Sequence, residues 1–399
     1  MKLVKISSRI STNLLSRRQA LKLGTRAIAT LAMLLLAKFQ VLSYLIYPFT
    51  DVALAKTKIN RTFRVSGKSS LKKRAKAKGL MYGAFPQVGS DVFDRDPKWK
   101  SIFVRECATL VAGCYWDQTR PSSTTFDFQE VDRIVKFAAS NRMLVRGHPL
   151  VWHLATANWM KDTINKQNAT QILTDHIQTV VKRYVGKIQS WDVVNEAIDV
   201  KDGRSDGLKN ISWLEFLGPD YIDLSFQIAA RVDPKALLIY NEQNLEYDEV
   251  HQRATLKLLQ QLKSKGTPVH ALGIQSHLRG HRQDFNPIKF RKFLRKVANL
   301  GLKILITELD VVDQELPIDV SNRDRTIAAT YEDYLNVVLS EKAVIGVTSW
   351  GLSDRYTWLN EYLPRPDRSP SRPLPFDRDM QPKLAWNAIA RAFDRAPKR

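Results

Sequence analysis

The sequence of 399 residues predicts a single (β/α)8 barrel, in which eight parallel strands alternate with helices. Short apolar runs alternate with amphipathic stretches of helical period, and no two neighbouring runs are joined closely enough to form a tight hairpin. No Gly- or Ser-rich linker divides the chain into separate domains. An open doubly wound sheet is the alternative, but no Gly-rich phosphate-binding turn follows the first apolar run.

Each predicted strand is a short run rich in apolar residues. The eight runs span residues 80–85, 108–116, 143–152, 188–195, 236–240, 269–275, 303–307 and 344–350. Amphipathic stretches that we predict as helices span residues 128–139, 170–184, 221–232, 248–265, 287–300 and 323–339. The proline-rich segment 360–382 follows the last strand and is predicted to be a long loop rather than a new domain.

The N-terminal segment predicts export from the cytoplasm. Residues 16–22 carry the pair Arg17-Arg18 and resemble a twin-arginine export signal, which is followed by apolar runs at 27–37 and 41–49. A small-residue cleavage site ends at Ala55, so we assign residues 1–55 to a signal peptide. An uncleaved membrane anchor is the alternative, and either arrangement predicts a periplasmic or secreted protein.

The net charge of +22 comes mostly from the first part of the chain. Residues 1–80 hold 18 Lys or Arg and one acid, which is +17, so residues 81–399 hold 44 basic and 39 acidic residues, which is +5. A mildly basic folded part gives little support for nucleic-acid binding. We predict that residues 56–79 form a basic, flexible arm, with attachment to an anionic surface as the alternative, and that residues 80–397 form the barrel.

The chain has two cysteines, Cys107 and Cys114. An oxidising compartment permits a disulfide between them, but two cysteines near one strand are more often buried thiols. Without histidines at ligand spacing they do not make a metal site.

Polar and aromatic residues stand at the C-terminal ends of the predicted strands. They are His148, Trp152 and His153 at strand three, Asn195 and Glu196 at strand four, Asn241 and Glu242 at strand five, Gln275 and His277 at strand six, Glu308 and Asp310 at strand seven, and Trp350 at strand eight. Because barrel enzymes build their sites on this face, we predict a functional site here.

Glu196 and Glu308 suit the cleavage of a glycosidic bond. That reaction uses one carboxyl group to protonate the leaving oxygen and a second to attack or stabilise the anomeric carbon. A solvated pair of Glu308 with Asp310 is the alternative interpretation, but residues two apart on an extended chain face the same side. His277 then fits between these two acids.

The histidines and tryptophans at the strand ends also have structural interpretations. His153 is equally well explained as a hydrogen-bonded core residue. Trp350 and Trp358 could belong to the core, although indole rings also stack on the apolar faces of sugars, and near a carboxylate pair we favour that role.

Several segments together resemble glycoside hydrolase family 10, the endo-1,4-β-xylanase family. The matching segments are RGHPLVWH at 146–153, WDVVNEA at 191–197, YNEQN at 240–244, GIQSH at 273–277, TELD at 307–310, SWGLSD at 349–354 and the region 373–383. They extend in order from about residue 80 to residue 395, so the resemblance implies the same barrel over the whole folded part.

The resemblance also implies roles for individual residues. Glu196 is expected to be the general acid/base and Glu308 the nucleophile of a retaining mechanism, and Glu196 as an acid needs a raised pKa. His277 and Asp310 are expected to orient Glu308, and Asn195 to bond the sugar 2-hydroxyl. The remaining expected sugar-binding residues are His148, Gln275, Asn241, Trp152, Trp350 and Trp358.

The sequence departs from the family pattern where the sugar on the non-reducing side is held. The family's second strand ends in Glu-Asn-x-x-Lys-Trp, but residues 111–116 are VAGCYW, and the family's Trp-His-Ser-Gln is WHLA at 152–155. The strand-five motif has Glu242 and Gln243 in place of Asp and Tyr. Because hydrogen bonds to hydroxyls distinguish one sugar from another, these changes affect recognition more than chemistry.

We therefore expect an exported retaining β-glycosidase that cleaves xylan or a related β-linked polysaccharide. A carbohydrate-binding barrel with weak or no activity and a transglycosylase acting on another β-glycan are the alternatives. We expect a monomer. We expect no cofactor or metal, since two carboxylates suffice for the reaction. Contact with a membrane is expected only if the N-terminal segment is retained.

Overall fold

The structure is a computed structural model, and it describes residues 61–87, 95–282 and 284–399. The predicted export signal and the first residues of the basic arm lie outside the described residues. The described residues belong to one compact unit, Leu54–Arg399. No helix in the described part of the chain is long and apolar enough to cross a membrane.

The predicted (β/α)8 barrel is confirmed. Parallel strands pair in sequence order, and the first strand pairs with the last, so that eight strands close into a ring. The eight strands of the ring are β1 Met81–Ala84, β2 Thr109–Gly113, β3 Leu144–His148, β4 Ser190–Asn195, β5 Leu237–Glu242, β6 Ala271–Ile274, β8 Lys303–Val312 and β9 Val344–Ser349. Among the described strands, the short β7 His277–Arg279 pairs with β8 only.

The short strand β7 continues β6 beyond the ring. It pairs with the second half of β8, in a register that sets His277 opposite Asp310. The strand β8 therefore runs five residues further than the predicted 303–307, because β7 supplies backbone partners for its C-terminal half. This extension includes Glu308 and Asp310 in the strand, although the pairing of β8 with β9 shifts register between Ile306 and Leu309.

Helices follow most of the strands and form the outer layer. They are α1 Leu71–Lys76, α2 Pro97–Glu106, α3 Trp116–Thr119, α4 Gln129–Ser140, α5 Asn158–Thr163, α6 Ala169–Arg183, α7 Ser212–Leu217, α8 Tyr221–Val232, α9 Glu249–Ser264, α10 Pro287–Asn299, α11 Val320–Val338, α12 Leu359–Tyr362 and α13 Leu384–Arg395. The six predicted helices are α4, α6 and α8–α11, with ends within three residues of those predicted. The other seven helices of the described part were not predicted; α2 and α13 are the longest of them.

The predicted second strand, 108–116, is too long at its end. The strand β2 ends at Gly113, and Trp116 begins α3. The indole of Trp116 donates to the carbonyl of Leu150 and stacks on His176 at 3.5 Å between ring centres, in the layer between barrel and helices. Both cysteines near this strand are buried free thiols, and burial raises the pKa of Cys114 to about 12.

Part of the expected flexible arm is folded onto the barrel. Residues 71–76 form α1, and Leu71 and Ala75 are fully buried. The guanidinium of Arg74 pairs with Asp394 of α13 and donates to the carbonyl of Ser69 at 2.9 Å. Apolar residues between the lysines thus bury one face of a segment whose composition suggested a solvated arm.

The outer face of the barrel, toward the helices, is packed closely at Gly147 of β3. A Cβ added at Gly147 would lie 2.2 Å from Cε3 of Trp191, which is fully buried on the neighbouring strand. At Gly346 of β9 the same atom would meet its nearest neighbour, Met81, at an ordinary 3.5 Å. Of these two positions, packing therefore requires a glycine at 147 and not at 346.

We predict that Gly147→Ala destabilises the protein by about 1–3 kcal/mol, because the indole of Trp191 cannot move without disturbing the barrel core. Urea unfolding followed by tryptophan fluorescence measures the change. Gly346→Ala is the matched control in another strand of the same sheet, and its free energy of unfolding should stay within about 0.5 kcal/mol of the wild type. Equal effects at the two positions would contradict the packing argument.

Candidate active site

Two buried glutamates stand at the C-terminal end of the barrel. Glu196 directly follows β4 and is 7% exposed, and Glu308 lies within β8 and is 4% exposed. The backbone of Glu196 has φ 57°, in the left-handed region that non-glycine residues seldom adopt. Such strain is found mostly where the surrounding structure holds a residue for a function.

A network of side-chain amides joins the two carboxylates. Asn241 donates from Nδ2 to Oε1 of Glu308 and to Oδ1 of Asn195, both at 2.8 Å. Gln275 donates from Nε2 to Oε1 of Glu196 at 2.9 Å, and Asn195 donates to the same oxygen at 3.3 Å. The structure thus brings together residues predicted from strands four, five, six and seven.

His277 and Asp310 support the second carboxylate. His277 lies with Nε2 at 3.3 Å from Oε2 of Glu308 and Nδ1 at 2.9 Å from Oδ1 of Asp310. Burial alone lowers the pKa of His277, but the two carboxylates outweigh it and raise the pKa well above 6.5. Trp358 donates from its indole to the other oxygen of Asp310 at 2.8 Å, which fixes that acid in turn.

His148 is held by a buried ion pair that the sequence analysis did not identify. Asp192 accepts from Nδ1 of His148 and from Arg146, each at 2.7 Å. Arg146 also donates to the carbonyl of Thr307 at 2.7 Å, next to Glu308. With Nδ1–H bonded to Asp192, the opposite ring nitrogen of His148 is the one that can meet a ligand.

The environment of Glu196 differs from the expectation for an acid. Lys209 lies with Nζ 3.9 Å from Oε2 of Glu196 and 3.2 Å from Nε2 of His153, and Gln243 donates to the same oxygen of Glu196 at 3.2 Å. Burial alone raises the pKa of Glu196, but Lys209, His153 and the hydrogen-bond donors outweigh it, so the pKa is lowered from 4.5. The expected raised pKa was wrong for this arrangement, because the position of Lys209 cannot be seen in the sequence.

Aromatic rings stand around the two acids. Trp350 stacks on Phe85 with ring centres 4.3 Å apart and meets His148 edge-on at 5.2 Å. The ring of Trp358 is 5.2 Å from that of His277. Trp350 and Trp358 therefore adjoin the carboxylate network, where indole faces can contact a sugar ring.

The end of β2 presents an aromatic residue where the family pattern has charged and amide groups. The ring of Tyr115 lies over Gly113, where an added Cβ would be 2.8 Å from it, and is 6.0 Å from the ring of Trp152 and 5.8 Å from that of His148. Burial raises the pKa of Tyr115, and the charge of Glu308 raises it further. Tyr115 thus lines the site beside the two acids.

Sequence reasoning missed several residues of this site for different reasons. Asp192 and Gln243 stand inside the motifs at 191–197 and 240–244, so the motifs pointed to them without defining a role. Lys209 lies in the loop after β4, where its backbone N–H bonds to the carbonyl of Ala197. No local pattern marks that lysine.

The arrangement provides two carboxylates, several amide donors and flat apolar rings in one cleft. Among the described residues, no group of three or more His, Cys, Asp or Glu is placed to hold a metal ion. Such a site can transfer protons and stabilise a positive carbon centre, and it can bind a polyhydroxylated ring.

Comparison with known proteins agrees with this geometry. The model of glycosyl hydrolase family 10 matches residues 70–392. The β-1,4-xylanase of Dictyoglomus thermophilum is 35% identical over 283 residues, which cover 69% of this chain and 78% of that protein. The endo-1,4-β-xylanase C of Paenibacillus barcinonensis is 30% identical over 361 residues and 83% of this chain, but this chain spans 32% of that longer protein.

Solved structures share the whole barrel. The native xylanase 10B of Thermotoga maritima superimposes with a TM-score of 0.73 at 30% identity, covering 82% of this chain and 98% of that one. The xylanase 10B of Thermotoga petrophila, solved with xylobiose, gives a TM-score of 0.74 at 29% identity, covering 83% and 99%.

We predict that His277→Gln costs most stability between about pH 5.5 and 6.5 and less as the pH rises to 9. The folded pKa of His277 lies above the unfolded value of about 6.5, so the stability gained from its charge is complete below the unfolded pKa and is lost as the pH rises through the folded pKa. Urea unfolding of wild type and variant at pH 6, 7.5 and 9 measures the difference.

His176→Gln provides a control of opposite sign. Burial lowers the pKa of His176 well below 6.5, and Arg120 lowers it further, so the wild type loses stability relative to this variant as the pH falls below 6.5. A His277→Gln effect that does not change with pH would contradict a charged His277 between two carboxylates.

Proposed function

Because the chain belongs to glycosyl hydrolase family 10, we propose that it is an exported retaining β-glycosidase that cleaves internal β-1,4 bonds of xylan by double displacement. The observation that carries this proposal is the amide network between the two acids. Asn241 donates to Glu308 and to Asn195, which in turn donates to Glu196. Because two side chains, those of Asn241 and Asn195, link the two carboxylates, their placement suits the retaining mechanism, in which the two carboxyl groups stand about 5–5.5 Å apart.

In the first step, Glu308 attacks the anomeric carbon while Glu196 protonates the departing glycosidic oxygen. The C–O bond to the leaving sugar breaks, and an ester bond forms between the glycone and Glu308. Asn241 and His277 donate to the oxygens of Glu308, which aims the attacking lone pair. The reaction inverts the anomeric carbon once.

In the second step, Glu196 acts as a base. It takes a proton from a water molecule, which attacks the anomeric carbon and releases Glu308 as a carboxylate. The second inversion restores the β configuration in the product. The positive charge of Lys209 near Glu196 favours the ionised form that this step needs.

The acid role of Glu196 in the first step requires its protonated form. A sugar ring bound between the two carboxyls excludes water and makes two adjacent negative charges more costly, so the pair takes up one proton when the sugar binds. Glu308 keeps its charge because imidazolium His277 and the amide of Asn241 bond to it. The proton is then left on Glu196.

Sugar binding is assigned to groups around the acids. Asn195 is proposed to bond the 2-hydroxyl, an interaction that strengthens in the transition state, and His148 and Gln275 are proposed to bind the same sugar because they lie near the two acids. Trp152, Trp350 and Trp358 offer ring faces for stacking. These roles are proposals that rest on the proximity of each residue to Glu196 or Glu308.

Xylan is the proposed substrate because the relatives named above are xylanases. On the non-reducing side, Tyr115 replaces a lysine of the family pattern, and an apolar ring offers fewer hydrogen bonds to a second sugar. Most of the affinity for a glycan chain should therefore come from the leaving-group side of the cleavage point.

We predict that Glu196→Ala loses most activity on xylan but keeps activity on an aryl β-xyloside with a good leaving group, because such a group departs without a proton. Azide should restore turnover and give a β-glycosyl azide, since a small anion can replace the missing base. Rates and the product's anomeric configuration are measured by chromatography and NMR.

Glu308→Ala and Gln243→Ala are the controls for this experiment. Glu308→Ala should lose activity on both substrates and should not form the β-azide, because the first displacement is absent. Gln243→Ala also removes a bond to Glu196 but leaves both acids, so it should retain hydrolysis. Wild type that binds xylan, mixed-linkage glucan or cellulose without turnover would instead indicate a carbohydrate-binding protein, and sugar transfer without hydrolysis would indicate a transglycosylase.

Export is proposed from the twin-arginine segment. We predict that replacing both Arg17 and Arg18 with Lys strands the precursor in the cytoplasm, since this pathway reads the arginine pair as an address. Cell fractionation with immunoblotting measures the distribution, and Lys22→Arg is the matched control outside the pair. Normal secretion of the double variant would refute twin-arginine export.

A further inference from the structure

A second cavity lies at the end of the barrel opposite the two glutamates. Its volume is about 410 Å³, and it is lined by the first residues of nearly all the barrel strands. This volume lies in the range of about 300–1,000 Å³ that is typical of small-molecule sites. The acids of the proposed function stand at the C-terminal ends of the same strands, so the cavity and the cleft are separate.

The lining of the cavity carries positive charge only. Arg146, Lys235, His270 and Lys303 line it, and no Asp or Glu is among the lining residues in the described part of the chain. Burial lowers the pKa of His270, and the charges of Lys263 and Lys303 lower it further, which reflects a local excess of positive charge. An anion that entered this cavity would be attracted from several sides.

Two polar atoms on residues of the inner wall have no hydrogen-bond partner. Arg146 is 1% exposed; its two terminal nitrogens bond to Asp192 and the carbonyl of Thr307, but its Nε–H has no partner. The hydroxyl of Thr109, which also lines the cavity, is buried without a partner. Both unpaired atoms are covered by neighbouring protein atoms, so a ligand in the cavity contacts other atoms of these two residues.

His270 adds a donor of defined direction. Its Nδ1 accepts from the backbone N–H of Leu238 at 3.0 Å, so neutral His270 carries its proton on Nε2. That nitrogen can donate to an oxygen of a ligand. The histidine donor and the ammonium groups of Lys235 and Lys303 together match a carboxylate or another oxyanion.

The rest of the lining is apolar. Leu144, Leu305 and Ile345 stand in it among other aliphatic side chains, and Leu305 belongs to a small apolar cluster separate from the main core. A bare inorganic anion would leave this surface unfilled. A ligand with an apolar body and one anionic group would use both kinds of wall.

We propose that this cavity, lined by Arg146, Lys235, His270 and Lys303, binds a small organic carboxylate with an apolar body. The carboxylate lies toward His270, Lys235 and Lys303, and the body packs against Leu144, Leu305 and Ile345. The proposal does not depend on the catalytic roles of the glutamates. Its experiment therefore measures binding and not turnover.

Benzoate, benzyl alcohol and inorganic phosphate are suitable probes, titrated into the full-length protein by isothermal calorimetry. Benzoate has both required parts, benzyl alcohol has only the apolar ring and phosphate has only the charge. Benzoate is expected to bind at one saturable site, and the other two at least about tenfold more weakly. Saturable binding of benzoate should also raise the melting temperature, by an amount that grows with the logarithm of its concentration above the dissociation constant.

Charge reversal locates the site. Both Lys235 and Lys303 are exposed at the mouth, so the double variant Lys235→Glu/Lys303→Glu should fold, and benzoate affinity should fall at least about tenfold. The matched control is Lys292→Glu/Lys296→Glu, the same change of charge on the exposed face of α10, outside the cavity lining, and it should leave the affinity within about twofold. Lys235→Met/Lys303→Met, a milder change, should give an intermediate loss.

Three results would overturn the proposal. One is the absence of saturable benzoate binding up to about 10 mM. Another is an equal loss of affinity in the two double glutamate variants, which would indicate attraction to the overall charge. The third is loss of benzoate binding in Trp350→Ala, which would place the ligand in the cleft beside the glutamates instead.

Discussion

Two carboxylates buried together at the end of a barrel are the constraint on which the rest of the site depends. A buried anion without partners is strongly unfavourable, and two of them in one cleft repel each other. Each is therefore surrounded by donors: Asn241 and His277 bond to Glu308, and Gln275 and Asn195 bond to Glu196. The donors themselves are fixed by further buried groups, such as Asp310 behind His277.

The barrel makes this arrangement possible because parallel strands present all their C-terminal ends at one edge. The register between β7 and β8 sets His277 opposite Asp310, and the strand order places Asn241 of β5 between the acids of β4 and β8. Side chains that are distant in the sequence are thus held at hydrogen-bonding distances by backbone pairing. Close packing, as at Gly147 against Trp191, keeps the strands in that register.

The sequence predicted the strands of the ring, six of the thirteen helices in the described residues and the residues at the strand ends, because alternation of apolar runs with amphipathic stretches determines this fold class. It could not predict Lys209 beside Glu196, because that contact depends on the path of a loop without a repeating pattern. The sequence also suggested a solvated arm at residues 71–76, where the structure has α1. The two apolar residues Leu71 and Ala75 between lysines only weakly indicate a buried helix, and the ion pair of Arg74 with α13 cannot be seen in the sequence. The departure at Tyr115 was visible in the sequence, but its position over Gly113 was not.

Trapping the covalent intermediate tests the central claim most directly. A 2-deoxy-2-fluoro-β-xylobioside with a dinitrophenolate leaving group forms the ester readily and hydrolyses it slowly, because fluorine removes the 2-hydroxyl contact that stabilises the transition state. Double displacement predicts, by mass spectrometry of the digested protein, one added fluorinated disaccharide on the peptide that contains Glu308, and none in Glu308→Gln. A label on Glu196, or rapid turnover to a product of inverted configuration without any label, would contradict it.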